Sequence, residues 1–195
     1  DPAPPPPDPP PPPPVPGTEG TRLLQVRSGE ANPWLAGADI LFTPEGAPTV
    51  AMQADAEGRF DLGAVAGTSG HLQILRAYGS GDPAFGVADA LDVLRLAVGL
   101  APSFGPATPA DLLAADLDRD GTVRVDDALD VLRLAVGLPV DPAPEWLFLD
   151  PQADLAAVVA GEMALPEGVR ISVAEDGAAS FWLTAILPGN LDLGL

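Results

Sequence analysis

Between residues 21 and 78 the chain alternates apolar and polar residues in short runs. These are RLLQVRS, GADILFTP, PTVAMQADAEGRFDL and GHLQILRAY, separated by glycine and proline clusters. A period of two over four to eight residues marks a half-buried strand. In ADILF it places Ile40 and Phe42 on one face and Leu41 on the other. In DAEGRFDL, residues 55–62, a glycine turn leads into a strand with Phe60 and Leu62 together. The pattern returns in residues 143–195 as EWLFLD, GVRISVAEDG and AASFWLTAIL. There Glu175–Gly177 reads as a hairpin turn and residues 152–161 as a short helix. Short strands at this spacing predict a small antiparallel β-sandwich.

The period changes in the middle of the chain. Residues 89–100 and 127–138 both read DALDVLRLAVGL, an internal duplication. In the second copy Leu129, Leu132 and Val136 share one helical face. Val131, Leu134, Ala135 and Leu138 cover much of the rest, leaving Asp130 and Arg133 as a narrow polar stripe. Gly99 and Gly137 stand where helices end. PADLLAA, residues 109–115, predicts a connecting helix with proline in its first turn. Helices this apolar must pack on each other and on something more, either the β region or a partner protein.

Four segments follow: a polyproline linker at 1–20, a β-sandwich at 21–78, a loop–helix pair at 79–140 and a C-terminal β segment at 141–195. The fold class is α+β. The last segment either forms its own unit or returns to complete the sandwich. About 50 residues with about three strands are marginal alone, which favours the return. Residues 1–16, DPAPPPPDPPPPPPVP, are expected to form a polyproline II spacer of roughly 50 Å. A start at DPAP without methionine is expected of a processed or excised chain.

Charge narrows the choice of function. The chain has 9 basic residues, all arginine, against 28 acidic ones, for a net −19. That argues against nucleic acid and anionic membranes, which need a basic face, and favours divalent cations or simply solubility. No apolar run is long enough to span a bilayer, so membrane insertion is not expected. Without cysteine there is no disulfide, thiolate nucleophile or Cys-ligated zinc.

The acids are not evenly spread. Asp116, Asp118 and Asp120 fill positions 1, 3 and 5 of an EF-hand-type loop, with Gly121 at 6 and Asp127 at 12. Thr122 at 7 offers its backbone carbonyl, Val123 at 8 points inward, and Arg124 at 9 leaves room for water. Calcium is a hard ion that takes six to eight oxygens, and close carboxylates repel unless a cation neutralises them. Asp116, Asp118, Asp120, Thr122 and Asp127 are therefore the expected Ca2+ ligands. In the first copy Asp89 aligns with Asp127, 38 residues apart, which puts Tyr78, Ser80, Asp82 and Pro83 at positions 1, 3, 5 and 6. Phe85 and Val87 match Val123 and Val125, so the apolar scaffold survives, but Asp82 and Asp89 alone make at most a weak second site. One calcium, not two, is the expectation.

A calcium loop ending in Asp and leading into one helix, present twice, resembles the dockerin family of duplicated loop–helix modules. The resemblance covers roughly residues 78–138. It implies a calcium-stabilised unit in an extracellular or cell-surface bacterial protein, with a cohesin-type partner. The family contacts that partner at loop positions 10 and 11, here Val87–Ala88 and Val125–Asp126, pairs that are neither polar nor matched. Separately, Gly37, Ala38 and Ile40, followed by Asp55, Gly58, Phe60 and Leu62, resemble the carboxypeptidase-regulatory-like family of transthyretin-type sandwiches. That resemblance implies a structural module.

Two functions from different classes follow. The chain is a calcium-binding interaction module that docks on a partner or on itself. Alternatively it is a segment of a stalk, adhesin or filament, with the helical unit packed on its own β domain. An enzyme is not expected, because no catalytic constellation is visible. His71 is the sole histidine, and Glu175–Asp176 lies in a turn rather than a pair of glycosidase carboxylates. Trp34, Trp146 and Trp182 are read as core rather than as a carbohydrate platform.

Overall fold

A computed structural model describes residues 21–191, so the expected polyproline linker lies outside the described residues. Seven strands are formed: β1 (Thr21–Arg27), β2 (Asp39–Pro44), β3 (Val50–Gln53), β4 (Ser69–Ala77), β5 (Glu145–Leu149), β6 (Val169–Ser172) and β7 (Ser180–Ile186). The helices are α1 (Val87–Ala97), α2 (Pro109–Ala115), α3 (Val125–Ala135) and α4 (Leu155–Val159). The class is α+β. The strands pair antiparallel in the order β1-β7-β5-β4-β2-β3, with β6 also on β4.

The C-terminal strands pair with the N-terminal ones. β7 lies along the whole of β1, from Thr21 opposite Ile186 to Arg27 opposite Ser180. One edge of β4 carries β2, and the other is divided. Its first half takes β6, and its last two residues, Arg76 and Ala77, take Trp146 and Glu145 of β5.

Alternation reads correctly in β2, where Ile40 and Phe42 are fully buried and Leu41 is half-buried. The expected strand at Phe60–Leu62 does not form. Both side chains are buried, but Asp61 accepts a hydrogen bond from the Gly63 N–H at 2.8 Å and folds the chain into a 3-10 turn. Nor does the turn at Glu175–Gly177 close a hairpin, because β6 and β7 have different neighbours. Gly177 instead seats on Gly63, a Cβ there falling 3.0 Å from the Gly63 Cα, and its carbonyl accepts from the Ser28 hydroxyl.

The helical unit is inserted between β4 and β5, and the insertion closes on itself where the Tyr78 N–H donates to the Pro144 carbonyl. Both repeat helices end in a Schellman motif. The Leu100 and Leu138 N–H groups reach the Arg95 and Arg133 carbonyls at 2.8 Å, across glycines at φ +75° and +76°. α1 packs on α3. Ala90 and Val93 of α1, with Ala128 and Val131 of α3, enter the same core as Leu24, Phe42 and Phe181 of the sheet. α2, capped by Thr108, contacts α4 and β7. Ala110 and Ala114 of α2 and Leu155 of α4 pack with Leu147, Leu149 and Ile186 in a second cluster. β5 is thereby covered on both faces.

The bridge between helices and sheet is the segment after β7. Leu187 and Leu191 are buried. The Gly189 N–H donates to the Ala114 carbonyl at 2.6 Å, and the Leu191 N–H donates to Asp89 at 2.8 Å. A Cβ at Gly189 would lie 3.0–3.2 Å from Phe85, Leu117 and Val131, so the backbone threads between the two loop–helix units.

Candidate metal centre

The loop from Asp116 to Asp127 connects α2 to α3. Gly121, at φ +88°, makes its sharp turn, and Arg119 also adopts positive φ, at +60°. The sequence supplies carboxylates where backbone donors converge. Asp116 accepts from the N–H groups of Asp120 and Gly121, at 3.1 and 2.8 Å. Asp118 accepts from the same Asp120 N–H at 3.0 Å, and Asp120 accepts from the Thr122 N–H at 2.9 Å. These bonds curl the chain so that one oxygen from each of Asp116, Asp118 and Asp120 lies within 4.8 Å of the others. Asp116 is buried, whereas Asp118 and Asp120 face solvent. Val123 packs against the core beneath.

The electrostatics are those of carboxylates crowded without enough positive charge. Burial pushes the Asp116 carboxyl up to about 6, reinforced by the negative charges of Asp127 and Asp118 and opposed by the Gly121 N–H. Burial raises Asp127 as well, against three backbone donors that lower it. Arg124 meets Asp120 at 2.5 Å. Arg119 reaches away to the Glu145 carbonyl at 2.9 Å, tying the loop to the start of β5.

Asp127 is placed differently from the other three acids. Its two oxygens accept from the Arg124 N–H at 2.7 Å and the Leu117 N–H at 2.9 Å, so it caps α3 and pins the start of the loop. Thr122 lies in the loop and donates its backbone N–H to Asp120. Three carboxylates are thus brought together, with Asp127 spent on the backbone beside them.

In the first copy Asp82 and Asp89 join no group of three or more acids among the described residues. The Asp82 side chain is enclosed, in a half-buried residue, and bonded to Arg76 at 2.6 Å, to the Gly79 N–H at 2.8 Å and to the Trp146 indole N–H at 3.1 Å. Asp89 accepts from the Gly86 N–H at 2.7 Å and from Leu191. A guanidinium from β4 stands beside loop one where calcium is expected in loop two. Arg76, Gly189 and Leu191 were not singled out from the sequence. The one signal was the poor ligand set of loop one, which calls for some other cation. Phe85 and Val123 serve as apolar supports, but Val87 and Val125, grouped with them, are exposed.

Of the tryptophans read as core, Trp146 is buried, whereas Trp34 and Trp182 are half-buried; Trp34 and Trp146 meet edge to face with centroids 5.3 Å apart. No helix among the described residues is long and apolar enough to cross a membrane. No family model, curated protein or solved structure matches the chain.

Proposed function

We propose that the chain is a calcium-stabilised interaction module, with the ion held in the Asp116–Asp127 loop and the two repeat helices presented to a protein partner. The observation that carries this reading is the convergence of Asp116, Asp118 and Asp120 in a glycine-turned loop that opens directly into α3. Three carboxylates with hard oxygen donors suit calcium, with Thr122 at position 7, water at 9 and Asp127 at 12 proposed to complete the shell once Asp127 shares its oxygens with the ion. The helices support the second half of the reading. Leu94 and Leu132 are 37% and 39% exposed, so their outward face is left uncovered by the β strands. The partner is a protein, cohesin-type if the dockerin resemblance holds, met at an extracellular or cell surface.

The alternative, a stalk, adhesin or filament segment, also has a specific observation behind it. The clasp of Gly189 and Leu191 on Ala114 and Asp89 fixes the helical unit to its own sheet. The two readings are compatible if the inner helix faces serve structure and the outer faces serve docking. The β part is read as a small transthyretin/Ig-like sandwich in which β4 serves both layers, consistent with β6 and β5 dividing its edge. No catalytic role is proposed for His71 or for Glu175–Asp176.

Thermal unfolding in calcium and in chelator tests the reading. At a hundredfold excess over Kd, calcium stabilises by about 2.7 kcal/mol, and Asp120→Ala is expected to abolish that gain. Equal melting temperatures for the unsubstituted chain under both conditions would refute the calcium-stabilised reading.

A further inference from the structure

The duplication repeats an outward surface as well as an inward one. Val87, Leu91, Leu94, Val98 and Leu100 are exposed in the first copy, and the residues 38 positions later are exposed in the second. Ten of the twelve large apolar residues exposed among the described residues belong to this matched set. α1 and α3 pack on each other, and exposed apolar surface of this size on neighbouring helices marks an interaction site.

We propose that this surface pairs with a second copy of the chain, the α1 stripe of one copy lying on the α3 stripe of the other and the reverse. This deepens the docking reading and rests on it. Symmetry is the first reason. A twofold interface requires a self-complementary patch, and two identical stripes on neighbouring helices supply two equal contacts. Size is the second. Ten such side chains, each about half exposed, amount to on the order of 800 Å² per copy, the share one partner contributes to a standard stable interface. Charge is the third. The net −19 would keep copies apart if it bordered this face unbalanced. Along the helices, however, Asp92 pairs with Arg95 at 3.4 Å and Asp130 with Arg133 at 2.5 Å, which among the described residues leaves Asp126 in the first turn of α3 as the exposed acid without an ion pair beside the stripes.

The test is sedimentation equilibrium of the full chain with excess calcium at about 0.15 M salt, where surface repulsion is screened beyond about 8 Å. The expected result is a species of twice the 19.8 kDa chain mass that dissociates on dilution. Leu91→Glu with Leu129→Glu should abolish it while leaving calcium stoichiometry intact and, at dilutions where the unsubstituted chain is also monomeric, the melting temperature as well. Leu75→Glu, at an exposed leucine on β4 outside the stripes, should leave it unchanged. A chain that stays monomeric at roughly 100 µM while binding calcium overturns the pairing but leaves docking on a different protein standing. A dimer indifferent to the double substitution overturns the assigned face. A chain that binds no calcium removes the function reading itself.

Discussion

Gly189→Ala probes the junction between the helical unit and the sheet. The residue has φ +90°, and its missing Cβ would fall 3.0 Å from Phe85, 3.1 Å from Leu117 and 3.2 Å from Val131. Two costs add. Holding an L-residue at positive φ costs about 1–2 kcal/mol. Forcing a methyl among three packed side chains costs about 1–3 kcal/mol, because Phe85 and Leu117 are buried and Val131 is fully enclosed. The expected loss is about 2–5 kcal/mol, or roughly 4–20 °C in Tm for a chain of this size. Urea unfolding followed by tryptophan fluorescence measures it, Trp146 being buried. Leu117 sits between two of the acids, so the substitution should also weaken calcium binding. A change within about 0.5 kcal/mol would mean that residues 187–191 do not thread between the loop–helix units, and the account of their coupling would fall.

Three further outcomes follow from the site and its twin. Asp116 titrates near 6 in the folded chain, above its unfolded value, so the folded state binds the extra proton. The resulting stability is present at low pH and is lost as pH rises through about 6 in the calcium-free chain. Calcium must displace that proton, so its affinity should fall below pH 6, and constant affinity from about pH 5.5 to 7.5 would contradict the placement. Arg124→Gln frees an Asp120 oxygen and removes a positive charge, so calcium should bind a few-fold tighter by fluorescence competition. Weaker binding would show that Arg124 assists. Asp82→Ala strands the buried Arg76 guanidinium and should cost about 3–5 kcal/mol in chemical denaturation, with calcium stoichiometry unchanged. A shift in stoichiometry would place loop one in the metal chemistry.

How much of this was legible depended on whether a feature is local. The repeat helices were visible because their period and their C-terminal glycines are local signals. Observed starts at Val87 and Val125, two residues before the duplicated run, reflect caps set by Asp89 and Asp127 at the third helical position. The acid ladder was legible for the same reason, since three of its members converge through bonds spanning two to five residues. Strand neighbours were not. Nothing in EDG distinguishes a hairpin from a crossover, because the choice is made by Gly63 and Ser28, more than a hundred residues away. Residues 188–195, PGNLDLGL, lacked a pattern, yet Gly189, Asn190 and Leu191 hold the two units together through backbone and amide bonds to Ala114, Ala84 and Asp89. Which face of α3 is outward was also hidden, because Leu129 and Val131 are equally apolar and only packing against the core separates them.

Calorimetric titration of chelator-stripped chain with calcium bears most directly on the central claim. The account predicts one ion per chain, lost in Asp120→Ala, because loop two gathers three carboxylates while Asp82 and Asp89 are already bonded to Arg76 and to the backbone. Two ions per chain would show that loop one releases its protein partners for metal. No binding would reduce the acid ladder to a solvated turn and contradict the account.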